Sequence, residues 1–296
     1  MKQRTAILSV ASNSALILLK VIAGTLTGSV AILTEAVHSS IDLIASVVAL
    51  LSVRIADEPA DEGHRYGHEK VENLAAAFEA ILILVGSAVI VFEAIRRLIN
   101  GGRTHTLGIG IGVIAFSAVA NLVVSTVVAR GGRKTRSPAL EGDAAHLRTD
   151  AVSSLGVLGA LVLVQLTGAQ WIDPVAALVV AAAIVFTGLR LLVRSGEVLV
   201  DQALPAQEME AIARVIEGFG DEAVIGFHEL RTRRGGSQRY VDVHLQFRHG
   251  TSLEQAHRAA HELQDRIATA LGGADVLIHL EPEDRLRPGQ QALHSE

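Results

Sequence analysis

The chain has 296 residues, half of them hydrophobic, with a formal charge of −5 and no cysteine. The lack of cysteine excludes disulfides, thiolate metal sites and cysteine nucleophiles, so any metal must be held by His, Asp and Glu. The net acidity argues against a nucleic-acid binder. Apolar residues concentrate before residue 200 and charged ones after it, which predicts a membrane part followed by a soluble part.

Six apolar runs, roughly 6–27, 31–54, 74–98, 106–129, 146–166 and 173–193, are each near the ~20 residues needed to cross a bilayer. Lys2 and Arg4 precede the first. Its length, and the lack of a small-residue cleavage site, favour a spanning helix over a signal peptide. Gly101-Gly102, Gly131-Gly132 with Pro138, and Gly168 with Pro174 read as breaks between the later spans. Lys2, Arg4, Arg54, Arg65, Lys70, Arg130, Arg133, Lys134, Arg136, Arg190 and Arg194 fall on one set of connections. The opposite connections, 25–29 and 168–173, carry no basic residue, with Arg96, Arg97 and Arg103 as the exception. That bias places both termini and the soluble part in the cytoplasm.

Inside the second run, EAVHSSIDLIAS spaces His38 and Asp42 four residues apart, one turn apart on one helix face. His146 and Asp150 repeat the spacing at the head of the fifth run. Ionisable groups at membrane depth are costly and mark function. A single pair reads equally well as a hydrogen-bonded pair inside the bundle. Two pairs in the same order favour a metal site of two imidazoles and two carboxylates, a tetrahedral set that suits Zn²⁺. Asp61, Glu62, His64 and His68 make a second constellation in the connection after the second run. It reads as a metal site in preference to the plainer solvated charged loop. Glu72, Glu79 and Glu93 mark one face of the third run, where snorkelling or interhelical bonding would account for them.

After Asp201 the pattern changes. Pro205 can open a helix with an apolar stripe at Met209, Ile212, Val215 and Ile216. Val224–Arg233 and Arg239–Phe247 read as strands joined by a Gly235-Gly236 hairpin turn. Ser252 caps a helix to about Leu271, and Val276–Leu280 reads as a last strand. The expected fold is an all-α six-helix transmembrane bundle (residues 1–201), a small α+β domain of αββαβ order (202–284), and a polar disordered tail (285–296). Histidines are scattered through the soluble part at His228, His244, His257 and His279, and His279 and Glu281 share a strand face. On their own these read as surface histidines. His257 and His261 lack the Glu that a metalloprotease HExxH helix requires.

TGSVAILTEAVHSSIDLIAS, HRYGHEKVENLAA and HLRTDAVSSLG, followed by a histidine-bearing domain, resemble the cation diffusion facilitator family. The resemblance covers about residues 6–284. It implies a homodimeric zinc/proton antiporter in the bacterial inner membrane, with six helices per protomer and a metallochaperone-like cytoplasmic domain. It further implies a transport site at His38, Asp42, His146 and Asp150, and a loop site at Asp61, His64 and His68. A cytoplasmic dimer site would comprise His228, His244, His257, His279 and Glu281, with Glu281 where Asp is common in the family. Zn²⁺ would be both cargo and regulator, with Fe²⁺, Co²⁺, Cd²⁺ and Mn²⁺ left open as cargo. Protons would be the counter-ion and the lipid bilayer the surroundings. The rival is a membrane-anchored metal sensor or scaffold that does not transport, and a sensor needs no ligand set at mid-membrane. An enzyme is not expected, since no positioned base accompanies the ligands.

Overall fold

In a computed structural model the described residues are 2–27, 30–100, 110–169, 171–283 and 291–292. The chain divides into two compact units, Met1–Gly196 and Glu197–Glu296. The first consists of six long helices: α1 (Lys2–Thr27), α2 (Val30–Ala56), α3 (Lys70–Asn100), α4 (Gly110–Thr135), α5 (Pro138–Thr167) and α6 (Ile172–Leu199). Among the described residues, α1 and α3–α6 are long and apolar enough to cross a membrane, and α2 contains the expected second span. The burial pattern is that of a bundle in lipid. Leu18, Val89, Phe92, Val179 and Phe186 are each more than half exposed, whereas Ala45, Ala49, Ala76, Ala80 and Ala151 are wholly buried. Small residues let helix backbones approach where no hydrophobic force drives them together.

Two contacts define the ends of the bundle. Lys2 Nζ donates to Glu72 Oε1 at 2.8 Å and Ser137 Oγ donates to Glu72 Oε2, so α1, α3 and α5 begin at one end, called here the Lys2 end. Arg97 Nη1 meets Asp173 Oδ2 at 3.1 Å where α3 finishes and α6 starts, the Asp173 end.

The helices outrun the sequence expectation. Gly131 and Gly132 do not break the chain; α4 runs through them to Thr135. Their role is close approach: a Cβ on Gly131 would sit 2.7 Å from Thr5 Cγ2, and one on Gly132 3.1 Å from the backbone N of Glu141. α5 starts at Pro138, about two turns before the expected span. Ser137 caps it by accepting from Leu140 N, and Pro138 supplies a fitting first turn. Residue 106, where the fourth span was expected to start, lies outside the described residues.

The second unit has α7 (Ala206–Glu217), β1 (Val224–Gly235), β2 (Gln238–Phe247), α8 (Leu253–Leu271), β3 (Asp275–Pro282) and β4 (Gln291–Ala292). Sheet order is β3-β2-β1-β4. β1 and β2 are antiparallel, and α8 crosses over to make β3 parallel to β2. The hairpin turn is Gly236-Ser237, one residue later than expected, and Gly236 takes φ 57°. Ser252 and Gln255 form a reciprocal capping box on α8, and Gly272 closes it in the left-handed region. Ile212, Ile216, Leu263 and Ile267 pack on Phe227, Val241, Val243, Leu245 and Phe247. Strand alternation therefore turns His244, His279 and Glu281 to the opposite face. The expected tail lies outside the described residues except for Gln291–Ala292, which pair with β1.

Candidate metal centres

Three groups of His and carboxylate ligand atoms, each within 4.8 Å of one another, occur among the described residues. The first joins α2 to α5. His146 Nε2 is 3.2 Å from Asp42 Oδ1 and 3.7 Å from Asp150 Oδ2. Asp42 and His146 are buried, at 4% and 6% exposure. Nδ1 of His146 has no partner among the described residues. The four-residue spacing on α5 presents His146 and Asp150 together, and α2 supplies Asp42 across the interface. His38 lies on α2 one turn before Asp42; its side chain, like that of Glu35, lies outside the described residues.

A cavity of about 550 Å³ reaches from these ligands toward Asp173. Lys20 lines it as well, buried at 3% exposure and donating to Ser39 Oγ at 2.6 Å. Lys20 carried no sequence signal beyond being a lone base in an apolar run. Toward the Lys2 end, α1 to α5 are closely packed. Ala6, Val53, Ala75, Val128, Ala139 and Leu140 form one buried cluster there. Polar groups lie just above it: Asn13 Nδ2 donates to Ser46 Oγ, and Ser46 Oγ to Asp143 Oδ1. The cavity thus extends from the ligand set toward the Asp173 end, with this cluster packed on its Lys2 side; a second cavity of about 300 Å³, lined by Arg133, Glu141, Arg148 and Thr149, lies toward the Lys2 end.

The second group lies in the connection between α2 and α3. His64 Nδ1 and His68 Nε2 are 3.1 Å apart, and each is 3.4 Å from an Asp61 oxygen. The backbone N–H of His64 donates to Asp61 and, with the N–H of Gly63 and the two imidazoles, holds that carboxyl below its usual range. The carboxylate is thus kept ionised.

The third group lies on the helix-free face of the sheet. Register aligns His228 with His244 and His244 with His279, a row across β1, β2 and β3. Glu281 sits below the row. Its oxygens lie 3.3 Å from His228 Nε2, 3.1 Å from His244 Nδ1 and 3.7 Å from His279 Nε2. His228 and Glu281 are buried, and His279 is 62% exposed at its side chain. His257 is not brought to this row. It lies on α8, packed on the sheet's other face, with its ring against His261. Glu229 was missed by sequence reasoning. A bulge between His228 and Arg231 gives it φ 50° and sets its carboxylate 3.6 Å from His244 Nε2. Bulges re-aim side chains in this way, and strand pairing alone reveals them.

Membrane helices whose buried histidine and carboxylates converge at an internal cavity, followed by a domain with its own histidine cluster, define a membrane protein that handles metal cations. Residues 6–200 match the family model of the cation efflux transmembrane domain, and residues 204–283 that of the cation efflux protein cytoplasmic domain. The chain belongs to the cation diffusion facilitator family of cation-efflux transporters. It is 33% identical over 277 residues to an uncharacterized transporter of Synechocystis sp., covering 94% of this chain and 89% of that one. It is 35% identical over 280 residues to the cation-efflux pump FieF of Salmonella schwarzengrund, covering 94% and 92%. Of solved structures, CzrB in its Zn form is 36% identical, covering 29% of this chain and 99% of that chain, with a TM-score of 0.28. The protein is therefore an integral membrane transporter, and the family is one of transporters rather than enzymes.

Proposed function

We propose that this chain is a zinc/proton antiporter that works by alternating access at His38, Asp42, His146 and Asp150. The observation that carries the reading is the convergence of Asp42, His146 and Asp150 from two helices onto one buried point at the foot of a cavity. Zn²⁺ accepts a small, mixed nitrogen and oxygen set. Binding it needs neutral imidazole and ionised carboxylate, so metal entry expels protons. Imidazole titrates near neutral pH, and protons arriving from the opposite side compete for the same atoms. A site that alternates between sides couples the two fluxes.

With the basic connections inside, the Lys2 end is cytoplasmic and the cavity faces outward. The membrane is the bacterial inner membrane, and the working unit is a homodimer. The loop group and the sheet group bind the same ion outside the transport path. A sensor that does not transport leaves the membrane cavity and its ligands unaccounted for.

Zinc uptake into inside-out vesicles tests the reading. Asp42→Ala and Asp150→Ala each remove one ligand and abolish uptake while the protein still folds. Wild-type uptake in either folded variant overturns the site.

A further inference from the structure

Glu79 is a buried acid that the transport site does not use. It lies on α3 one turn beyond Ile83, which lines the cavity, and seven residues from Glu72 at the Lys2 end. It is wholly buried, and neither of its carboxylate oxygens has a partner among the described residues. Asp143 of α5 is the nearby acid whose charge reaches it, and Asp143 Oδ2 is also without a partner. The seat is shaped for the group. A Cβ on Gly142 would collide with Glu79 Oε2, so glycine there lets the carboxyl lie against the α5 backbone.

Other ionisable groups on the surrounding helices are His146 on α5, Asp42 on α2 and Glu72 on α3 itself. The bases toward the Lys2 end include Lys2 of α1, which Glu72 engages, and Arg194 of α6, which Glu141 engages. α4 brings Arg130, Arg133 and Lys134 at its Lys2 end.

Asp143 accepts from Ser46 Oγ and lies three residues before His146, whereas Glu79 has no donor among the described residues, and two carboxylates buried side by side are not both ionised. We infer that Glu79 is a proton-binding latch: the bundle closes at the Lys2 end only when Glu79 carries a proton. Opening that end admits water. The Glu79 O–H bond then breaks, its proton passes to water, and the carboxylate keeps the electron pair. On closing, a proton from that water re-forms the bond. The closed state thus holds one proton more than the open state, at a place other than the ligands. This inference rests on the alternating-access reading above.

The chain has no native cysteine, so a single introduced thiol can report opening. Val53→Cys places one in the buried cluster at the Lys2 end. Its alkylation by a water-soluble maleimide is followed between pH 6 and 8 without metal, in the otherwise wild-type protein and with Glu79→Gln added. The thiolate's own pH dependence is common to both and cancels in their ratio. That ratio rises by up to about tenfold per pH unit, the slope for one linked proton, and the Glu79→Gln protein stays closed throughout. Glu79→Met, apolar and of similar volume, is the second variant and behaves as Glu79→Gln does, with no pH response beyond the thiol's own. An unchanged pH response in either variant overturns the latch. If alkylation in the Val53→Cys protein changes with pH no more than the thiol's own ionisation requires and does not respond to zinc, alternating access fails as well. If it responds to zinc but its pH response survives loss of Glu79, only the latch fails.

Discussion

At the scale of the residue, His38 is the position that sets the character of the proposed transport site. It is a nitrogen donor one turn before Asp42, where a carboxylate would be smaller, anionic and able to bind through two oxygens. His38→Asp widens tolerance toward larger, oxygen-accepting ions. It also exchanges an imidazole, with a reference pKa of ~6.5, for a carboxylate with a reference of ~4. Zinc and cadmium uptake measured side by side is expected to show zinc transport retained and the cadmium-to-zinc ratio raised. An unchanged ratio would remove His38 from the ligand set. The pairing of His146 with Asp150 was legible because i,i+4 spacing survives folding: a helix keeps two such side chains on one face whatever it packs against. Asp143 was not legible. It lies three residues before His146 and gives no periodic signal of its own, and only the approach of α1, α2 and α3 gives it neighbours. Glu229 was invisible for a similar reason, since the bulge that aims it is decided by its partner strand.

At the scale of the element, the glycines of α4 show how a local signal misleads. Gly131-Gly132 is a plausible helix end by propensity, yet the neighbouring helices demand a surface without Cβ atoms there. Packing decided the outcome, and the span boundaries moved with it. In the soluble unit the caps and the hairpin were legible because turn chemistry is local. The tie between α7 and the sheet was not, since it depends on two arginines more than 25 residues away. Glu208 receives Arg239 Nε at 2.8 Å and Nη2 at 2.9 Å, and Arg234 Nη2 at 2.7 Å. The hydrogen bond from Arg239, joined by the charges of Arg234 and Arg239, holds the Glu208 carboxyl below its ordinary 4.5. A carboxyl depressed by folding contributes stability that is present above its unfolded pKa and is lost as pH falls through the folded one. Glu208→Gln therefore costs about 0.5–1 kcal/mol at neutral pH, discounted for partial exposure. The deficit persists down to about pH 4.5 and shrinks below it. Denaturant unfolding of residues 197–296 at pH 7 and pH 3 checks this, and an equal deficit at both would show that the carboxylate charge plays no part.

At the scale of the whole molecule, each unit carries its own core and its own ligand groups. The soluble unit has a closed apolar core on one face of its sheet and the histidine row on the other. His257, on the far side of that sheet, can join a metal only if a second copy presents it, which fits the proposed homodimer. Residues 197–296 expressed alone are expected to bind zinc and to dimerise more tightly with it. Sedimentation with and without zinc reads this directly, and equal dimerisation in both would sink the bridging role. The row has a further consequence for how the domain reaches its native pairing. Its three imidazoles meet because β1, β2 and β3 hold one register. Slipping β3 by one residue would turn His279 and Glu281 into the helix-packed face. Slipping it by two would leave Glu281 opposite a residue other than Gln246 and part it from His244. An ion bound to the row thus has affinity for a single alignment of the strands. By mass action it draws chains out of shifted pairings and into the native one, so the cargo ion would also serve the domain as a proofreader of its folding.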